Sequence, residues 1–161
     1  MVTETTSFLA RNRSKVIAVL AVGAVVAVAG FLWFRPDKLF LDAKVEQSFD
    51  VPTATLASGS FEAIAHPTSG TASIVETAQG RELRLQDFRT DNGPDLVVWL
   101  SEAEPGGDHA GGFIDLGVLQ GNIGNQVYSI PDDLDLSRYR SVVVWCRRFT
   151  VGFGVAGLAS A

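Results

Sequence analysis

The chain of 161 residues has one cysteine, Cys146, and two histidines, His66 and His109. Cys146 lies in Trp145-Cys146-Arg147-Arg148-Phe149, at the end of an apolar run. A thiolate is the nucleophilic and redox-active form of cysteine, and adjacent cations favour it. By that reading Cys146 is a candidate redox thiol. The other reading is a small buried hydrophobe, because free cysteine is among the most buried residue types. A single cysteine permits no intramolecular disulfide. In an oxidising compartment such a thiol is buried, reactive, or paired with another chain.

His66 sits in Ala65-His66-Pro67-Thr68-Ser69-Gly70, which reads as a strand end followed by a turn. Its imidazole either bonds that turn or acts as a proton carrier or ligand near Cys146, where it is the weaker catalytic candidate. His109 belongs to the Gly-rich loop Glu102–Gly112 and is expected to be solvated. The two histidines and one cysteine do not have the spacing of a structural zinc site, so no metal is expected. Asp87, Asp91 and Asp95 surround the turn Asn92-Gly93-Pro94-Asp95. They could supply oxygen ligands to a hard cation. Their spacing is not that of a calcium loop, and turn-capping is the simpler role. No Ser-His-Asp order stands out, and no carboxylate pair can be assigned. The glycines of 102–112 precede no helix and so do not form a phosphate loop.

The elements that must position these residues are legible from patterning. Short apolar segments alternating with turn residues predict strands at Gly59–Ala65, Gly70–Glu76, Glu82–Phe88, Leu96–Ser101, Gly112–Leu116, Gln126–Ile130, Ser141–Cys146 and Thr150–Leu158. In Glu82–Phe88, alternation sets Leu83, Leu85 and Asp87 against Arg84, Gln86 and Phe88. In the strand ending at Cys146, the thiol shares a face with Val142 and Val144, while Trp145 shares the other with Val143. One short turn of helix is expected within Asp132–Tyr139. The fold class is all-β, an antiparallel sandwich or barrel-like domain over residues 58–161. Its core candidates are Phe61, Leu83, Leu85, Val97, Trp99, Leu116, Tyr128, Val143, Trp145 and Phe153.

Apolar residues make up 47% of the chain, and much of the excess lies in Val16–Phe34. That run has no charged or polar side chain and no proline, and roughly 17–25 such residues cross a bilayer. Residues 16–34 therefore read as a transmembrane helix and signal anchor. Arg11, Arg13 and Lys15 precede it, which favours residues 1–15 as a cytoplasmic tail and the C-terminal part outside. Ala27-Val28-Ala29 has the small-x-small pattern of signal cleavage, so secretion after cleavage is the alternative. Residues 35–57, with Pro36 and Pro52, read as a juxtamembrane stalk. Residues 39–161 carry eight basic and sixteen acidic groups, a net of −8. Such a surface excludes nucleic acid, whose phosphates require a basic face, and does not attract anionic lipid. The expected partners are the membrane, through residues 16–34, and a cell-envelope protein or redox partner.

Four segments, taken in order, resemble the DM-thirteen domain family. They are GSFEAIAHPTSGTASI (59–74), LRLQDFRTDNGPDLVVWLS (83–101), IDLGVLQGNIGNQVYSIP (114–131) and YRSVVVWCRRFTVGFGVAGL (139–158). The resemblance implies a β-sandwich or barrel-like extracytoplasmic module of electron-transfer type. It implies that Cys146, at the family's signature cysteine position, acts as a bare thiol or carries a covalently attached prosthetic group. No CxxCH is present, so ordinary c-type haem attachment is not supported. The sequence specifies no cofactor. If Cys146 is not redox-active, the chain is a non-enzymatic envelope binding module.

Overall fold

The computed structural model of the protein describes residues 12–34 and 41–161. It has two compact units, divided between Pro36 and Asp37.

The first unit contains helix α1, Arg13–Phe34, of 22 residues. At 1.5 Å per residue this is about 33 Å, against a hydrocarbon core of about 30 Å. Its apolar side chains have no core to enter, and none of the membrane-length window is buried. These properties suit a membrane anchor and equally a signal sequence.

The second unit is a curled sheet of ten strands: β1 (Lys44–Glu46), β2 (Ala54–Ala63), β3 (Thr68–Thr77), β4 (Gly80–Thr90), β5 (Leu96–Ser101), β6 (Phe113–Val118), β7 (Ile123–Ile130), β8 (Ser141–Cys146), β9 (Val151–Gly157) and β10 (Ala159–Ser160). The order is β1-β7-β4-β3-β2-β9-β8-β5-β6, with β10 beside β2. Every pairing is antiparallel except β1 with β7. The curl turns on β2. Residues up to Ser60 pair with β3, whereas Phe61–Ala63 pair with β9. One strand thus serves two sheet faces, and the concave side closes over a shared core, as the all-β expectation requires.

That core contains Phe61, Leu83, Leu85, Phe88, Leu96, Val98, Leu100, Tyr128, Val142, Val144, Cys146 and Phe153, all buried. The period-two rule places the side chains of β8 as expected. Val142, Val144 and Cys146 face inward, while Val143 and Trp145 belong to a second cluster with Val97, Trp99 and Val155. On this outer face Trp99 stacks against Phe113 at 3.8 Å and Trp145 at 4.8 Å between centroids. Leu116 and Trp145, expected in the core, are half-buried.

Two local expectations change and a third is met. Alternation in β4 does not persist to Phe88. Asp87 takes a left-handed backbone, φ 50°, and the β4–β7 register shifts between Leu85 and Phe88. This bulge turns Phe88 inward beside Leu83 and Leu85. The opposing strand accommodates it at Gly70, φ 111°, where a Cβ would lie 2.7 Å from the Phe88 Cα. The domain also starts earlier than residue 58. Within the segment read as a stalk, β1 joins β7, Gln47 Oε1 accepts from the Val127 amide at 2.6 Å, and the Asp50 carbonyl accepts from buried Arg84 at 2.7 Å. The helical turn is a 3-10 segment, Leu136–Arg138, capped by Asp135.

Candidate functional site

Cys146 ends β8, opposite Leu96 in β5 and Val151 in β9. Its exposure is 0%. It is a free thiol among apolar neighbours, not a surface group. The following residue does not serve it. The Arg147 guanidinium grips Asp95 through two contacts, Nη2–Oδ1 at 2.9 Å and Nε–Oδ2 at 3.3 Å, and reaches Asp115 at 3.6 Å. These carboxylates hold the Arg147 pKa above its ordinary value, chiefly through the hydrogen bond to Asp95. A prosthetic group attached to Cys146 would have to displace close-packed side chains. The residues around the sulfur therefore do not fit one.

His66 is built into a different place. The β2–β3 turn, the β4–β5 turn, the β6–β7 turn and the segment before β1 converge at one end of the sheet. They enclose a polar cleft of about 690 Å³. His66 is fixed there from two directions. Its ring stacks on Phe153 with centroids 3.7 Å apart and planes at 23°. Its Nδ1 lies 3.0 Å from Asp91 Oδ2. A carboxylate only accepts, so Nδ1 carries the proton and Nε2 presents a lone pair whenever the imidazole is neutral. Behind the ring, Phe153 approaches Gly93 together with Leu96, the cross-strand neighbour of Cys146. His66 and Cys146 thus abut one core from different sides and do not share an open site.

The rest of the cleft is braced by its own hydrogen bonds. Buried Asn122 donates to Asp42 Oδ1 at 2.8 Å and to the Thr90 carbonyl at 3.1 Å, and accepts from the Ala43 amide at 2.7 Å. Asn92 donates to the same Asp42 oxygen at 3.0 Å. Thr68 Oγ1 lies 2.9 Å from Thr90 Oγ1. Thr68 packs so tightly on Gly154 that a Cβ there would fall 2.4 Å from it. Arg89 lines the same cleft without a side-chain hydrogen bond or ion pair among the described residues. Sequence reasoning reached His66 and noted Asp91, but missed Asp42, Arg89 and Asn122. These residues are distant in the chain and meet only because β1, β4 and β7 are neighbours.

The three aspartates do not form a cation site. Asp91 serves His66 and Asp95 serves Arg147, while Asp87 occupies the β4 bulge with its amide bonded to Asn125. No group of three or more His, Cys, Asp or Glu side chains suited to a metal occurs among the described residues.

His109 is not solvated. The loop after β5 folds back and places His109 Nδ1 3.3 Å from Ser101 Oγ, leaving the residue 5% exposed. Its Nε2 is buried without a partner among the described residues. Desolvation pushes its pKa below the usual 6.5, with Asp108 acting in the opposite direction.

Neither the curated proteins nor the solved structures contain a match to this chain. A family model does match, over residues 60–158, and its description is Electron transfer DM13. The match runs from the last residues of β2 through β9 and includes His66, Asp91 and Cys146. The four sequence segments, the curled sheet they build and this match together establish that the chain belongs to the Electron transfer DM13 family.

Proposed function

We propose that the chain is a membrane-anchored, extracytoplasmic module of this family that works as a binding or interaction domain, with the His66 cleft as its working face and Cys146 as a core residue. The observation that carries this reading is the contrast between the two candidate centres. Cys146 has 0% exposure within the main core, whereas the cleft is polar and braced, with Arg89 and Asp91 exposed in its wall. Helix α1 supports the anchor, since its length and apolar surface match a bilayer. The net charge of −8 on residues 39–161 disfavours contact with anionic lipid surfaces.

The test is thiol reactivity of the intact chain in phosphatidylcholine nanodiscs. A buried thiol reacts only when the fold opens, and opening that costs ~4 kcal/mol slows alkylation about 10³-fold relative to urea-unfolded protein. Native alkylation within tenfold of the unfolded rate would overturn the core assignment. For the anchor, the expected result is an intact N-terminus in alkali-washed membranes. A shortened, soluble chain would instead indicate cleavage after the Ala27-Val28-Ala29 stretch.

A second reading is favoured by the family description, Electron transfer DM13: a redox module using Cys146, with His66 assisting. It requires an accessible thiol, so the alkylation experiment separates the two.

A further inference from the structure

The cleft holds side chains whose chemistry defines a ligand class. Two carboxylates, Asp42 and Asp91, one guanidinium, Arg89, and two carboxamides, Asn92 and Asn122, line it beside His66. Asp42, Asp91, Arg89 and Asn92 are planar and bidentate in hydrogen-bonding capacity, whereas buried Asn122 commits its amide to Asp42, Thr90 and Ala43 and serves to hold the wall. Planar bidentate groups suit vicinal hydroxyls, because each hydroxyl both donates and accepts. The charges nearly balance, at two negative and one positive with a neutral imidazole. A polyanion would face Asp42 and Asp91 within a domain already at net −8, and its on-rate would suffer accordingly. A bare metal ion lacks a suitable donor group of three among the described residues.

Two features favour a bound ligand over a solvated surface. The hydrogen-bonding side chains are immobilised before any ligand arrives: Asn122 and Asn92 on Asp42, His66 on Asp91 and on the Phe153 ring. Preorganisation of this kind removes much of the ordering cost of binding. Arg89 is the exception, since its donors have no partner among the described residues and remain available. The His66 ring, stacked on Phe153, keeps 36% of its side-chain surface exposed, a small flat patch against which the C–H face of a pyranose can rest. The volume of about 690 Å³ falls within the range of small-molecule sites.

We infer that the His66–Asp91–Arg89 cleft binds a neutral, polyhydroxylated ligand, a sugar unit of an uncharged glycan. This deepens the proposed binding function and rests on the cleft being the working face.

The experiment uses the full chain in phosphatidylcholine nanodiscs, which avoids glycoside detergents. Maltotetraose, mannotetraose and chitotetraose are titrated separately, with tetragalacturonate as the anionic counterpart. The His66 imidazole ¹H–¹⁵N signals are followed. At least one neutral tetrasaccharide is expected to shift them saturably, with Arg89→Ala and Asp91→Asn each weakening binding at least tenfold. Both side chains are exposed, so the variants are expected to fold, and unchanged circular dichroism checks this. No saturable shift with any neutral sugar, or tighter binding of tetragalacturonate, would overturn the ligand class. A photo-crosslinker at position 89 then separates the two levels. Capture of a protein through the cleft would sink the sugar assignment and preserve the cleft as working face. Absence of both sugar binding and crosslinks would sink both.

Discussion

Replacing Cys146 by serine and by alanine distinguishes a packed core thiol from one retained for its chemistry alone. Serine nearly preserves volume but introduces a hydroxyl among Leu96, Val142, Val144 and Phe153. The backbone groups around position 146 are engaged in ladders with β5 and β9, so that hydroxyl has few partners. An unsatisfied buried polar group costs about 1–3 kcal/mol. Alanine removes one heavy atom and leaves a small void, a loss of about 0.5–1.5 kcal/mol by analogy with deletion of one methylene. The expected stability order is wild type, then Cys146→Ala, then Cys146→Ser, although serine is the closer isostere. For a domain of this size each kcal/mol moves Tm by about 2–8 °C. The assay is urea unfolding followed by tryptophan fluorescence, to which the stacked Trp99 and Trp145 are sensitive reporters. Cys146→Ser matching wild type within about 0.5 kcal/mol would refute the reasoning, because the pocket would then contain a polar partner or water.

Two further substitutions address the cleft and the loop. Asn122→Ala strips partners from Asp42, Ala43 and the Thr90 carbonyl; it should cost about 1–3 kcal/mol and speed hydrogen exchange at Lys44–Glu46, and unchanged exchange there would show that β1 is held otherwise. His109 has its pKa depressed by burial, so the unfolded state takes up the proton first. Its contribution is complete above the unfolded value of about 6.5 and is lost as pH falls through that value toward the lower folded one. Urea melts at pH 7.5 and 5 should show this decline, and His109→Gln should flatten it; equal slopes would place the titration elsewhere.

The identity of the family was legible in the chain, because its motifs are local and survive as strings. So were β5 and β8, whose predicted limits, Leu96–Ser101 and Ser141–Cys146, coincide with the observed strands. Both are central and apolar on both faces, and their register shifts, at Val98/Trp99 against β6 and at Val144/Trp145 against β9, fall inside the strands and leave the ends where the apolar runs stop. Alternation grouped Val142, Val144 and Cys146 on one face, but the core candidates Val143 and Trp145 came from the other, and the structure gives the main core to the first set. Alternation failed in β4 because it assumes a regular pleat, and a residue inserted at Asp87 reverses the phase. It also had no means of finding β1, which is three residues long, carries two charged side chains, and exists only because β7 offers an edge.

The two histidines show where local reading ends. His66 was recognised as a turn histidine, yet its stack on Phe153 and its bond to Asp91 join β9 and the β4–β5 turn, which are remote in sequence. His109 sits in a segment rich in glycine and acidic residues and reads as solvated, but the loop folds back onto Ser101. Composition reports what a segment would do alone, not what a neighbouring sheet covers.

By itself the sequence determined the apolar helix, the all-β class, which side chains of the Cys146 strand share a face, and the family. Tertiary structure alone decided that the thiol is enclosed, that Arg147 belongs to Asp95, and that Asp42, His66, Arg89, Asp91 and Asn122 share one cleft. The reason is physical. Periodicity encodes which side of a strand is buried, whereas closure of the sheet through β2 decides which strands meet, and a polar site is made of those meetings.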